Sequence, residues 1–279
     1  MPIFHAIVLG IVQGLTEFLP ISSSGHLLLV PWLFHWSDFD AVNGGKSVEK
    51  AFDVALHIGT LIAVVAYFWR DLIVYARDGL RMIFKRREPS TPEGRLAWLL
   101  VLSSVPAFLI GGLFGDTIDE KLGTIPLIAV SLIAFGLLLG VADQRSKRIR
   151  PVESFTSKDA LIVGAAQVLA LNPGTSRSGI TITANRFLTF TRDSAARISF
   201  LMAIPVTAGA IVFKMAKLVG DGIPDGLLGP MIVGIITSGL FGWVAVWGTI
   251  KYVRHHSYTP FVIYRVVLGL LVLAIYWAR

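Results

Sequence analysis

A polar break occurs twice inside apolar sequence, and the two copies are related. The first contains Gln13-Gly14-Leu15-Thr16-Glu17 and then Ser22-Ser23-Ser24-Gly25-His26; the second is Pro173-Gly174-Thr175-Ser176-Arg177-Ser178-Gly179. Shifted by 154 positions, they match without a gap: Ala6 meets Ala160, Gly10 meets Gly164, Gln13 meets Gln167, Leu15 meets Leu169, Ser22 meets Ser176, Ser24 meets Ser178 and Gly25 meets Gly179. The chain is thus read as one membrane domain, 1–279, built from two repeats at approximately 1–142 and 155–279. Each repeat interrupts an apolar helix with a Ser/Gly-rich loop. One copy holds Glu17 and His26, the other Arg177, which points to one site assembled from both halves and suited to a phosphorylated ligand.

The rest of the chain explains how such breaks are tolerated. Hydrophobic residues make up 54% and charged residues 15%, with a mean hydropathy of +0.70, which is membrane-protein usage. The formal charge of +7 would suggest nucleic acid if it formed a face, but the charges sit in short loops between apolar runs. With no cysteine there is no disulfide, thiol catalysis or thiolate metal site. No basic region precedes the first apolar stretch, so no cleaved signal peptide is expected.

Six stretches are long and apolar enough to span a bilayer, near 51–69, 96–114, 125–142, 195–214, 229–250 and 260–278. Pro106 and Pro205 fall inside two of them, where neighbouring helices can satisfy the freed carbonyls. The motif segments, about 3–30 and 158–190, each comprise two halves too short to cross hydrocarbon. They are predicted to be re-entrant helix–loop–helix hairpins. The predicted fold is all-α, with six transmembrane helices and two re-entrant segments in an inverted-topology repeat. Basic residues set the orientation. Arg70, Arg77, Arg81, Lys85, Arg86, Arg87 and Arg95 in 70–95, Arg145, Lys147, Arg148 and Arg150 in 143–157, and Lys251 and Arg254 in 251–258 predict cytoplasmic loops. Asp116, Asp119 and Glu120 beside Lys121, and Asp221 and Asp225 beside Lys217, predict outer ones, with both termini outside.

Within the second break, glycines permit close backbone approach and successive N–H groups can cradle an anion. A half-helix starting after Gly179 would add its positive end. Arg177 offers a planar fork matched to phosphate, and Thr175, Ser176, Ser178 and Thr181 add hydroxyls. In the first break, Gln13 and Glu17 share a helical face at i, i+4. A carboxylate with an amide oxygen suits a hard cation, Mg²⁺ or Ca²⁺, bridging to substrate phosphates; the plainer reading is a buried Glu17–Arg177 ion pair. Ser23 needs a base to become a nucleophile, and His26 three residues on could reach it or protonate a leaving oxygen. One serine of Ser22–Ser24 is expected to cap the following half-helix. His57, inside the first span, reads as a helix-packing or interfacial histidine ahead of a site residue.

These residues resemble the undecaprenyl-pyrophosphate phosphatase family, the bacitracin-resistance membrane proteins of bacteria. Gln13…Glu17 is similar to its Glu/Gln-x-x-x-Glu signature, with Gln13 leaving one carboxylate there. Pro20-Ile21-Ser22-Ser23-Ser24-Gly25-His26 is similar to its Pro-x-Ser-Ser-Ser/Thr-Gly-His block, and Pro173 to Thr181 to its Pro-Gly-x-Ser-Arg-Ser-Gly-x-Thr block. The stretch Arg192 to Pro205 shares the likeness, which spans nearly the whole chain. The resemblance implies hydrolysis of a C55 polyprenyl pyrophosphate to the monophosphate carrier lipid of cell-wall synthesis. It also implies bacitracin resistance and a multi-pass place in the bacterial inner membrane; the charge topology favours a site facing outward, although a mid-membrane site could open to either side. By that likeness Arg177, with Gly174, Thr175, Ser176, Ser178 and Thr181, holds phosphate. Glu17 and Gln13 hold the divalent cation, Ser23 attacks, and His26 acts as base or acid. The implied partners are the lipid pyrophosphate and the bilayer, with a homodimer as one possible assembly and no nucleic acid. The rival expectation is a transporter or flippase for a phosphorylated lipid or anion, because inverted repeats with broken helices are a transporter design.

Overall fold

Both polar breaks fold as helix–loop–helix. The computed structural model, which describes residues 1–38, 45–84, 91–218 and 226–279, places α1 at Ile3–Phe18 and α2 at Ser23–Phe34. Then come α3 (Gly45–Tyr67), α4 (Trp69–Phe84), α5 (Pro92–Leu122) and α6 (Ile125–Arg145). The second break gives α7 (Ser157–Val168) and α8 (Arg177–Phe187), followed by α9 (Arg192–Leu218), α10 (Leu228–Val253) and α11 (Thr259–Ala278). The 16 residues of α1 and 12 of α7 reach only about 24 and 18 Å at 1.5 Å per residue, short of a bilayer core.

Five helices (α5, α6, α9, α10 and α11) are each long and apolar enough to cross a membrane; α3 and α4 together make a sixth candidate, bent by 82°. The chain is a multi-pass membrane protein. Pro106 and Pro205 lie inside continuous helices, as expected. Two expectations need correction. The segment 70–95, predicted as a loop, is largely α4: its apolar positions recur at helical spacing and its inner face packs on α5. The loop 115–124 shrinks to two residues because α5 runs on to Leu122. Lys85, Arg86, Arg87, Asp221 and Asp225, and the side chains of Asp116, Asp119, Glu120 and Lys217, lie outside the described residues.

The halves interlock. The first hairpin helix α1 packs on α10, from the second half, and α7 packs on α5, from the first. The matched glycines make this possible. A Cβ on Gly10 would overlap Thr237 Oγ1 of α10, and one on Gly164 would stand 2.5 Å from the Ser103 carbonyl of α5. Small residues at the crossings let backbones approach in the absence of a hydrophobic drive within lipid.

At the basic end, a charged joint ties four elements. Asp143 near the end of α6 accepts from Arg192 (2.7 and 2.6 Å), from Arg186 (3.2 Å) and from the Tyr258 backbone N–H (3.1 Å). Arg186 is fully buried and also donates to the carbonyls of Phe190, Ser146 and Lys147. A charge taken out of water persists only when its donors are matched in this way.

Candidate active site

The two loops adopt one conformation twice. Ser22 (φ 77°, ψ 94°) and Ser176 (φ 75°, ψ 115°) both stand in the left-handed half of backbone space and both cap the next helix. Each Oγ accepts from the N–H three residues on, Gly25 at 3.3 Å and Gly179 at 3.0 Å. The capping serine expected from the sequence is thus Ser22, with Ser176 as its counterpart. The second half-helix starts at Arg177, earlier than the expected point after Gly179. Ser23 and Arg177 consequently occupy the same place, the first residue of α2 and of α8, at the positive end of each helix.

The loops are stitched together beneath that point. The Gly174 N–H donates to Ser22 Oγ (3.1 Å), and Ser178 Oγ donates to the Leu19 carbonyl (3.0 Å). Arg265, on α11 and fully buried, donates to Pro20 of the first loop (3.2 Å) and to Gly174 and Thr175 of the second (2.9 Å each). Its remaining bonds reach the Leu132 and Ser131 carbonyls of α6 (3.1 and 3.4 Å). Gly174 takes φ 91°, and a Cβ there would lie 2.5 Å from the Ile128 carbonyl. Gly174→Ala combines a forbidden backbone with that overlap. It is expected to lower the apparent Tm in detergent by roughly 5 °C or more.

Above the stitching, the polar groups converge. Arg177 donates to Glu17 Oε1 (2.9 Å) and to the Ser199 carbonyl of α9 (2.8 Å). Glu17 Oε2 accepts from Ser23 Oγ (2.6 Å) and from Gln13 Nε2 (3.2 Å). His57 Nε2 stands 4.0 Å from the same oxygen, while its Nδ1–H donates to the Asp53 carbonyl (2.7 Å). Glu17, Ser23, His57 and Arg177 share a cavity of about 200 Å³. Its wall is largely apolar, from Val54, Ala107, Leu171, Val206 and Ile211, with Ser24, Gln167, Thr207 and Lys214 also lining it. The plainer reading of Glu17, a buried ion pair with Arg177, is present.

Other predicted residues lie elsewhere. His26 does not bond to Ser23. Its Nδ1–H donates to the Ser22 carbonyl (2.7 Å), and its Nε2 faces the Tyr264 hydroxyl (2.7 Å). The helical turn that begins at Ser23 carries the imidazole round to α11. Thr175, Ser176, Ser178 and Thr181 are buried; Thr181 Oγ1 bonds to the Arg177 carbonyl (2.8 Å) and to Ser199 Oγ (2.7 Å). Of the Pro173–Thr181 block, Arg177 alone lines the cavity described. The sequence signal undervalued His57, which is one-third exposed into the cavity, and missed Arg265. An arginine inside an apolar span at 260–278 was a signal for it.

The donor set can be weighed against a cation. Gln13 Oε1 is buried with no hydrogen-bond partner among the described residues, one turn from Glu17. The same residues contain no cluster of three or more His, Asp or Glu. Gln13 turns its Nε2 and not its Oε1 to Glu17, so of the two Glu17 alone faces the cavity, and one carboxylate suits a hard cation only where substrate phosphate and water complete its shell.

The chain's residues 6–271 match the family described as bacitracin resistance protein BacA. The chain belongs to the BacA family. It is 45% identical over 274 residues to an undecaprenyl-diphosphatase of Geotalea daltonii, covering 98% of each chain. Its identity to the Geobacter sulfurreducens undecaprenyl-diphosphatase is 45% over 280 residues and the full length of both, and to that of Moorella thermoacetica 42% over 279 residues. Both polar breaks of this BacA-family chain fall within the matched region.

Proposed function

We propose that the chain is a membrane hydrolase that removes the terminal phosphate of a long-chain polyprenyl pyrophosphate, undecaprenyl pyrophosphate by family. The product is the monophosphate carrier that cell-wall synthesis reuses, which would confer bacitracin resistance. One observation carries this reading: Ser23 Oγ lies 2.6 Å from a buried carboxylate whose other oxygen is paired with Arg177 from the opposite half. Ser23 attacks the terminal phosphorus as Glu17 accepts its proton, and the bond to the bridging oxygen breaks with the lipid monophosphate leaving. Water then attacks the same phosphorus, the Ser23 Oγ–P bond breaks, and the proton held by Glu17 returns to Ser23 as phosphate leaves. Arg177 and the helix ends at Ser23 and Arg177 offset charge on the transferring oxygens. Gln13 and Glu17 would hold the divalent cation, which when bound neutralises further phosphoryl charge. His26 positions the first loop through Ser22 and Tyr264. The apolar cavity wall suits the prenyl chain beside its headgroup.

Two hairpins too short to span, with matched caps and swapped packing, support re-entrant segments in an inverted repeat. The basic residues of 143–157 and 251–258 support a cytoplasmic position for that end and a site open to the other side. The test is phosphate release by purified protein from a polyprenyl pyrophosphate, with and without EDTA, beside Ser23→Ala. EDTA-sensitive release that falls by about a thousandfold or more in Ser23→Ala is expected. A folded protein that binds the lipid and releases no phosphate would leave the flippase reading.

A further inference from the structure

The amphipathic helix α4 is not used by the site. It follows α3 after an 82° bend, so with α3 across the bilayer α4 runs along its surface. Its 16 residues include five charges, too many and in too short a run to cross. The inner face is fixed. Tyr75, Asp78 and Gly79 are buried, Trp98 Nε1 donates to the Gly79 carbonyl (3.0 Å), and Asp71 pairs with Arg197 of α9 (2.7 Å). The outer face carries a stripe at helical spacing. Trp69 is 51% exposed, Ile73 57% and Leu80 52%, with Ile83 on the same line. One position round the helix runs a second stripe, Arg70, Arg77 and Arg81. Arg77 and Arg81 have side chains 56% exposed, and the Arg70 guanidinium lies 5.3 Å over the Trp69 ring. Asp78 faces Arg77 (2.8 Å) and Arg81 (3.8 Å) from the buried side.

We infer that α4 is an in-plane helix whose outer face binds anionic phospholipid. The apolar stripe enters the acyl boundary and the arginines hold lipid phosphates. Apolar side chains alone would suit any lipid surface; the adjoining guanidiniums select an anionic headgroup. The bend is the independent observation, because with α3 across the bilayer it turns both stripes parallel to the membrane plane.

The absence of cysteine permits clean single-cysteine labelling. Nitroxides at Ile73→Cys and Leu80→Cys, in vesicles containing phosphatidylglycerol, are expected to be more accessible to oxygen than to a water-soluble nickel chelate. Water exposure at both would overturn the proposal, as would labels shielded from both reagents, which would mean that a protein covers the stripe. In native mass spectrometry, Arg70→Gln/Arg81→Gln is expected to weaken phosphatidylglycerol binding roughly 25-fold, about fivefold per arginine, and leave phosphatidylcholine unchanged. Arg77 is left in place because it donates to Asp78 at 2.8 Å, whereas Arg81 stands 3.8 Å away. Equal loss for both lipids, or no loss, would overturn the anionic selectivity. Neither readout depends on phosphatase activity.

Discussion

Replacing Arg177 with Lys is expected to lower kcat for phosphate release by roughly a hundredfold or more while leaving the protein folded. The guanidinium spans two elements at once, with one nitrogen on Glu17 of α1 and another on the Ser199 carbonyl of α9. A lysine retains the charge but has no planar fork, so it can serve one partner or the substrate and not hold the geometry between them. Losing one preorganised donor at developing charge typically costs a factor of 10²–10³ in kcat. Because the interaction strengthens as the phosphoryl group transfers, kcat and kcat/KM should fall together. A variant with normal kcat and a raised KM would assign Arg177 to substrate binding alone. Arg177→Met should be worse in a different way, since it leaves Glu17 buried without its cation, and a stability loss of about 3–5 kcal/mol is then expected.

Arg265→Met is expected to cost more stability than any change at the cavity itself. One guanidinium donates to five carbonyls, those of Pro20, Ser131, Leu132, Gly174 and Thr175, and no carboxylate pairs with it among the described residues. Each buried carbonyl left without a donor costs about 1–3 kcal/mol, so the total approaches the whole stability of a typical fold. The variant should fail to accumulate in membranes or show an apparent Tm lower by roughly 10 °C or more. Arg265→Lys, with three donors in place of five, should recover part of the loss. An Arg265→Met protein with an unchanged melting profile would show that the loops hold each other through Ser22 and Ser178 without α11.

The broken helices, the gapless duplication and the Glu17–Arg177 pairing were legible in the chain. Periodicity and turn residues act over a few neighbours, and a repeat copies them together. The likeness of Ser22 and Ser176 extends from letters to dihedral angles because the same local Ser-x-Ser-Gly chemistry closes each loop. Ser23 is different. Its nearest titratable neighbour along the chain is His26, yet its hydroxyl goes to Glu17, because α1 and α2 fold back on each other and the helical turn carries His26 toward Tyr264.

Sequence by itself determined a membrane chain with two related helix-breaking segments, and the charge types that meet between them. Tertiary structure decided which hydroxyl meets which base, that His57 faces the cavity, that Arg265 locks the loops from the last helix, and that the helix over 70–84 turns 82° from α3 to pack on α5. The physical reason is range. Helix period, caps and hydropathy are fixed by neighbours in the chain, whereas these contacts depend on how α1 folds back on α2 and on how α3 and α11 pack against the hairpins.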